Sequence, residues 1–389
     1  MLNFEIQNPT QIIFGKDQLG KLSSYIQQHY SGKKILLAYG GGSIEKIGLL
    51  DKVKGELKDY ELYLFKGIEA NPEFTTLMKA VDLVRKENIG FILAIGGGSV
   101  IDGVKFISGA VGHPGDCWDV LLRKPGCVFE TAVPFGTILT LPATGSEANS
   151  GAVISRSELH EKRTMGGPLF FPKFSFLDPT VVASLPKRQI ANGIVDSFMH
   201  TLEQYLTFPT DNLLQEREAE AILSTLIEVA PKVMANPADY KYASNLMWCA
   251  THALNGNLRC GVATDWVTHM IGHELTAFFG IDHARTLAII APRLYEVKFE
   301  KKKEKLAQYG TRIWNLMGTE EEIAKEAIRK TEAFFQSLEI ETKVKAYTNE
   351  VDGLAGKIRS RFEERGWKGL GERQDLSYDE VEQIVELAI

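Results

Sequence analysis

The chain has 389 residues, too many for one ordinary hydrophobic core, so two domains, or one large α/β domain with a cap, are expected. Apolar residues make up 44% and charged residues 24%, the balance of a soluble globular protein, and fifty acids against forty-four bases leave a net charge of -6. That mild acidity argues against nucleic acid and anionic membrane as partners. No apolar run approaches the roughly eighteen residues of a membrane span. The opening "MLNFEIQNPTQIIFG" lacks the basic start and long apolar run of a signal peptide, so a cytoplasmic protein is expected. Cys117, Cys127, Cys249 and Cys260 form no CxxC pair and read as reduced thiols, not metal ligands.

In chain order, "KKILLAYGGGS" reads as a buried strand followed by a turn, and "GFILAIGGGSVIDGVKFISGA" repeats that logic with a helix after the turn. Between them Leu77, Ala80, Val81 and Val84 recur at helical spacing. Strand, helix, strand with short loops implies a doubly wound parallel sheet. After "LDPTVVASLPKRQ" strand-like runs become rare, and helical patterns dominate to the end. We therefore expect an α/β N-terminal domain over residues 1–187 and an all-α C-terminal domain over residues 188–389. No low-complexity linker separates them, so tight packing is expected, with the active site in the cleft between the two.

Gly96, Gly97, Gly98, Ser99 and Asp102 fit a strand-to-helix turn whose backbone N–H groups favour a phosphate, or else a tight turn that merely needs glycine. The spacing is not GxGxxG, because Ile101 holds the sixth position. At the other turn, Gly40, Gly41, Gly42 and Ser43 stand where a dinucleotide fold usually places an acid for the adenosine ribose, and no acid occurs before Glu45. Room and a hydroxyl there lean toward a 2′-phosphate, and so toward NADP(H) over NAD(H). In "LTLPATGSEANSGAV", Thr140, Thr144 and Ser146 put hydroxyls at a strand end, suited to a nicotinamide or ribose or to ordinary turn chemistry.

In "GIVDSFMHTLEQY", Asp196 and His200 are four apart and share one helix face. The apolar stripe of Ile190, Ile194, Phe198 and Leu202 points roughly the other way, so the face with Asp196 and His200 is either solvated or lines a cleft. His269 and His273 repeat the four-residue spacing, and Gly280 should end their helix before His283. On an unbroken helix His269 and His283 would be separated by about 21 Å, so only that break could fold His283 back. "HELTA" is not the zincin HExxH, since Ala277 stands where the second histidine belongs. Two such pairs plus a histidine after a glycine point to a metal site. Carboxylate and imidazole without thiolate suit Fe(II) or Zn(II), which spacing does not distinguish.

The ordered motifs "NPTQIIFG", "YGGGSI", "IGGGSVIDGVK", "LPATGSEANSGAVIS", "LDPT", "ANGIVDSFMHTLEQY", "ALNG" and "DWVTHMIGHELTAFFGIDHARTLAI" run nearly end to end. With them the chain resembles the iron-containing, or group III, alcohol dehydrogenases, nearest the butanol dehydrogenase and broad aldehyde reductase branch. The resemblance implies a dinucleotide-binding α/β domain, a helical domain, and one divalent metal held by Asp196, His200, His269 and His283. It places His273 near the substrate rather than on the metal. Gly97, Gly98 and Ser99 would take the pyrophosphate, Asp102 would lie near the nicotinamide, Thr140 and Thr144 would line the cofactor, and Lys162 would contact it. "GGGS" at residues 40–43 resembles the NADP(H) branch, while some relatives with this turn use NADH. A homodimer is likewise implied by the resemblance alone.

One carboxylate and three neutral imidazoles leave a divalent ion with a net charge near +1, which favours an alkoxide and polarises a carbonyl. The expected reaction is therefore hydride transfer between a primary alcohol or aldehyde, butanol-like in size, and a nicotinamide. His273 is the candidate proton relay, alternatively a mere pocket-lining histidine. Two other classes compete: a dehydroquinate synthase-like cyclase that uses NAD and a metal, and a non-catalytic nucleotide-binding protein. The acid with three histidines favours the dehydrogenase.

Overall fold

The computed structural model describes all 389 residues, which divide into two compact units. One comprises Gln7–Leu185 and Pro237–Thr251; the other comprises Met1–Ile6, Pro186–Asn236 and His252–Ile389. No helix is long and apolar enough to cross a membrane.

The first unit is built on strands β1 (Gln11–Phe14), β2 (Lys34–Tyr39), β3 (Glu61–Lys66), β4 (Phe91–Gly97), β5 (Phe135–Leu141), β6 (Ala152–Arg156), β7 (Glu161–Met165) and β8 (Phe174–Leu177). Six of them form one sheet in the order β1-β8-β5-β4-β2-β3, every neighbouring pair parallel. β6 and β7 form a separate antiparallel pair. In β2 and β4, consecutive residues Ile35, Leu36, Leu37 and Ile92, Leu93 are all fully buried, because helices cover both faces of a parallel sheet. One face packs into a cluster of Ile35, Leu37, Phe91, Leu93 and Ile95 with Leu22, Ile26, Leu50 and Val53 from covering helices. The expected helix over residues 74–87 forms, with Leu77, Ala80, Val81 and Val84 buried.

The strand order locates a site. From β2 the chain steps outward to β3, then crosses back so that β4 lies on the other side of β2. Strand order thus reverses between β2 and β4, and ligands of open α/β sheets bind outside the carboxyl ends at such a point. Both glycine turns follow those two strands, Gly40–Gly42 after β2 and Gly96–Gly98 at the end of β4.

The second unit is helical and contains no strand. Its helix Lys187–Tyr205 is buried on nearly every side from Ile190 onward. The expected stripe of Ile190, Ile194, Phe198 and Leu202 is buried, yet so is the opposite face, with Asp196 4% and His200 5% exposed. A solvated face is therefore excluded. Residues 237–251 fall within the expected all-α C-terminal domain, but they belong to the sheet unit, where the Thr251 hydroxyl donates to Glu147 at 2.6 Å.

Candidate active site and metal centre

Helix Val267–Phe279 stops at Gly280, whose φ of +65° is left-handed backbone that glycine adopts at little cost. After the break, helix His283–Val297 begins with His283 as its first residue. The reversal brings the His283 ring to 5.1 Å from the His269 ring, centroid to centroid. The His200 ring stacks on His269 at 4.9 Å, at an angle of 19°. Donor atoms of Asp196, His200 and His269 all lie within 4.8 Å of one another.

Asp196 is the test of whether these residues suit a metal. Its Oδ1 is buried and makes no hydrogen bond. The Nε2 atoms of His200 and His283 each lie 3.8 Å from that oxygen, too far for a hydrogen bond. Atoms that share one ion at about 2.0–2.2 Å can be at most about 4.4 Å apart, so both pairs satisfy the limit. A buried carboxylate left in this state is costly unless a cation completes it. The donor set fits a divalent ion.

His269 is held from behind. Its Nδ1 bonds to the Glu203 carboxylate, and the other Glu203 oxygen accepts the Thr268 backbone N–H at 2.8 Å. With Nδ1 engaged, Nε2 is the nitrogen turned to the site, as is usual for a ligand histidine. Burial, with the charge of Asp265 nearby, pushes the Glu203 carboxyl up to about 8. Trp266 packs edge-on against His269, ring centroids 5.3 Å apart, and its φ of +65° is a strained conformation for a bulky residue. His273 is buried one turn beyond His269, with its ring 5.0 Å from that of His283. It therefore lies beside the donor cluster.

In the sheet unit, Gly96, Gly97 and Gly98 all have negative φ, so the turn does not need glycine for a left-handed bend. Close approach is the reason at Gly98, where a Cβ would lie 2.2 Å from Thr144 Oγ1. Thr144 is thereby seated on the glycine turn, and Leu141 at the end of β5 pairs with Gly97. The Ser99 hydroxyl donates to the Ala70 carbonyl. Asp102 is fully engaged: Ser146 donates to one oxygen at 2.6 Å and the Val153 N–H to the other at 2.9 Å. Burial raises its carboxyl, opposed by the charge of Lys105. Asp102 thus braces the loop at residues 144–153, a role the expected placement near the nicotinamide did not include. Lys162 donates to Asn71 at 3.1 Å, and its charge also favours ionised Asp102.

Lys105 escaped sequence reasoning. It is fully buried, and its ammonium donates to Ser146 Oγ at 2.7 Å, Asn149 Oδ1 at 3.0 Å and the Gly151 carbonyl at 2.7 Å. Burial pulls it down to about 8. Glu203 was also missed, although it stands three residues after His200 and so shares the face of Asp196 and His200.

The profile described as iron-containing alcohol dehydrogenase matches residues 9–179, and its companion for the C-terminal part of the family matches residues 190–388. The chain is 45% identical over 391 residues to the NADPH-dependent aldehyde reductase YqhD of Escherichia coli, covering all of both proteins. It is 38% identical over 350 residues to NADH-dependent butanol dehydrogenase A of Clostridium acetobutylicum, covering 89% of each. Among solved structures, NADH-dependent butanol dehydrogenase A of Thermotoga maritima superposes with a TM-score of 0.94 at 31% identity, covering 100% of this chain and 99% of that one. The chain belongs to the iron-containing alcohol dehydrogenase family, alongside its aldehyde reductase and butanol dehydrogenase members.

Proposed function

We propose that this enzyme interconverts primary alcohols and aldehydes of about butanol size by hydride transfer with NADP(H), accepting NAD(H) less well. The observation that carries the reading is Asp196, a buried carboxylate oxygen with no hydrogen bond and two imidazole nitrogens at 3.8 Å. Asp196, His200, His269 and His283 would hold one divalent ion, Fe(II) or Zn(II), which when bound supplies the Lewis acidity that favours the alkoxide and polarises the carbonyl.

The chain's own residues do the rest. Gly97, Gly98 and Ser99 would receive the pyrophosphate, with the N-terminus of helix Gly98–Ala110 offering its unpaired N–H groups. Thr140 and Thr144 line the nicotinamide side, and Lys162 contacts the cofactor. Gly40 to Ser43 leave room for the 2′-phosphate. Asp102 and Lys105 hold the loop that carries Thr144, so their contribution is orientation. Trp266 packs on His200 and His269 and limits water on that side. His273, a turn from His269, passes the alcohol proton to solvent at one of its ring nitrogens. A homodimer in the cytoplasm completes the proposal.

The preference for NADPH is supported by the bare Gly40–Ser43 turn and by the 45% identical E. coli relative, whose name records NADPH dependence. The test is to purify the protein without added metal, measure the metals bound, and compare butanal reduction with NADPH and NADH at 340 nm. Butanal-dependent oxidation faster with NADPH is expected. Robust use of NADH with negligible use of NADPH overturns the cofactor assignment, and no oxidation with either after metal loading overturns the activity.

A further inference from the structure

The turn after β2 is flanked by a charged pair that hydride transfer does not use. Lys66 closes β3 in register with Tyr39 of β2, and its Nζ lies 2.7 Å from Glu45 Oε2. The Tyr39 hydroxyl donates to the other oxygen of Glu45 at 3.0 Å. Tyr39 is buried, whereas the side chains of Lys66 and Glu45 are 50% and 38% exposed. Gly42 has a φ of +103°, and a Cβ there would lie 2.9 Å from Glu45 Oε2 and 3.2 Å from Lys66 Nζ. A Cβ on Gly41 would meet nothing within 4 Å. The turn is thus bare backbone, open at Gly41 and edged at Gly42 by one cation and one anion.

We propose that Lys66 and Glu45 form the cofactor discriminator of this chain, Lys66 taking the 2′-phosphate of NADPH and Glu45 the 2′-hydroxyl of NADH. The inference rests on reading Gly40–Ser43 as the adenosine ribose site. An exposed ion pair contributes little, so Lys66 leaves Glu45 readily when a phosphate bearing nearly two negative charges arrives. Glu45 alone would repel that phosphate, and the ammonium beside it removes the repulsion. For an unphosphorylated ribose, Glu45 supplies the acceptor that dinucleotide folds ordinarily place at the end of the second strand. Tyr39 keeps the carboxylate in place from beneath. One pair therefore serves both cofactors, with the cation giving the phosphorylated one the advantage.

The experiment measures binding without turnover, by calorimetry on the full-length protein, with NADPH, NADH, 2′,5′-ADP and 5′-AMP as probes. In Lys66→Ala the dissociation constants for NADPH and 2′,5′-ADP rise about tenfold, while those for NADH and 5′-AMP stay within about twofold. In Glu45→Gln, NADPH binds several-fold tighter and NADH several-fold weaker. Lys66 is half exposed, so the variant keeps its fold, which circular dichroism and the melting temperature verify. Lys66→Ala weakening both dinucleotides equally, or neither, overturns the discriminator and leaves the proposed activity standing. An unaltered chain that binds neither dinucleotide overturns the cofactor reading and the discriminator with it.

Discussion

The Glu203 carboxyl engages two groups at once, accepting the backbone N–H of Thr268 on one oxygen and pairing with Nδ1 of His269 through the other. When His269 presents Nε2 as a ligand its proton sits on Nδ1, and both Glu203 oxygens then accept. A glutamine there offers one acceptor and one donor, so either the Thr268 N–H loses its partner or His269 shifts its proton to Nε2 and stops being a ligand. Glu203→Gln is expected to keep the fold and weaken metal affinity by about 10–100-fold, read by titration against a competing chelator. Unchanged affinity removes Glu203 from the metal's support.

Asp196 separates the demands of the site from those of the fold. Its buried oxygen lacks a hydrogen bond, so Asp196→Asn should leave the metal-free protein as stable as before, or more so. The gain on metal loading, about 2.7 kcal/mol at a hundredfold excess over Kd, should vanish in the variant along with turnover. Melting curves with and without Fe(II) or Zn(II) provide the readout. A variant that still gains stability from metal shows that the ion binds elsewhere.

Gly98 answers to sterics. A methyl group there would meet Thr144 Oγ1 at 2.2 Å, against the loop that carries Thr144. Gly98→Ala is expected to cost about 1–3 kcal/mol and to raise the dissociation constants of NADPH and NADH together, since the displaced loop serves both. Denaturant unfolding and fluorescence titration test this. Wild-type stability and affinity in the variant would mean that Thr144 moves aside freely.

Lys105 gives a pH signature. Its folded pKa, lowered by burial from 10.5 to about 8, means that below pH 8 both folded and unfolded chains carry the proton and this group adds no pH dependence. Between about pH 8 and 10.5 the unfolded chain binds more protons, so stability rises with pH by about 3 kcal/mol from this lysine. Lys105→Met, which strands Asp102 and three acceptors, should cost several kcal/mol at pH 7 and lack that alkaline rise. The measurement is unfolding free energy from pH 7 to 10.5 for both proteins; parallel curves would contradict the assignment.

Much of this was legible in residues. Continuous apolar runs identify β2 and β4, because strands of a parallel sheet covered on both faces bury consecutive side chains. The four-residue spacing of Asp196 and His200 and the glycine before His283 foretold the donor cluster, because helix periodicity and left-handed caps are local physics. The reversal of strand order between β2 and β4 was not legible, since pairing is a long-range choice. Nor was the partnership of Glu203 with a histidine 66 residues away. Lys105 looks like any helix lysine in sequence; only the loop folded over it, more than forty residues later, makes it a buried clamp. In the helix from Lys187 the apolar stripe left the face of Asp196 and His200 either solvated or lining a cleft, and burial on nearly every side removes the first alternative.

The division of the chain has a thermodynamic consequence. All four proposed donors lie in one compact unit and both glycine turns in the other. Metal and dinucleotide therefore act as separate handles, each able to raise the stability of its own unit. If NADPH changes metal affinity by some factor, metal must change NADPH affinity by the same factor. That single number, obtained from binding alone, gauges how strongly the sheet unit and the helical unit communicate before any hydride moves.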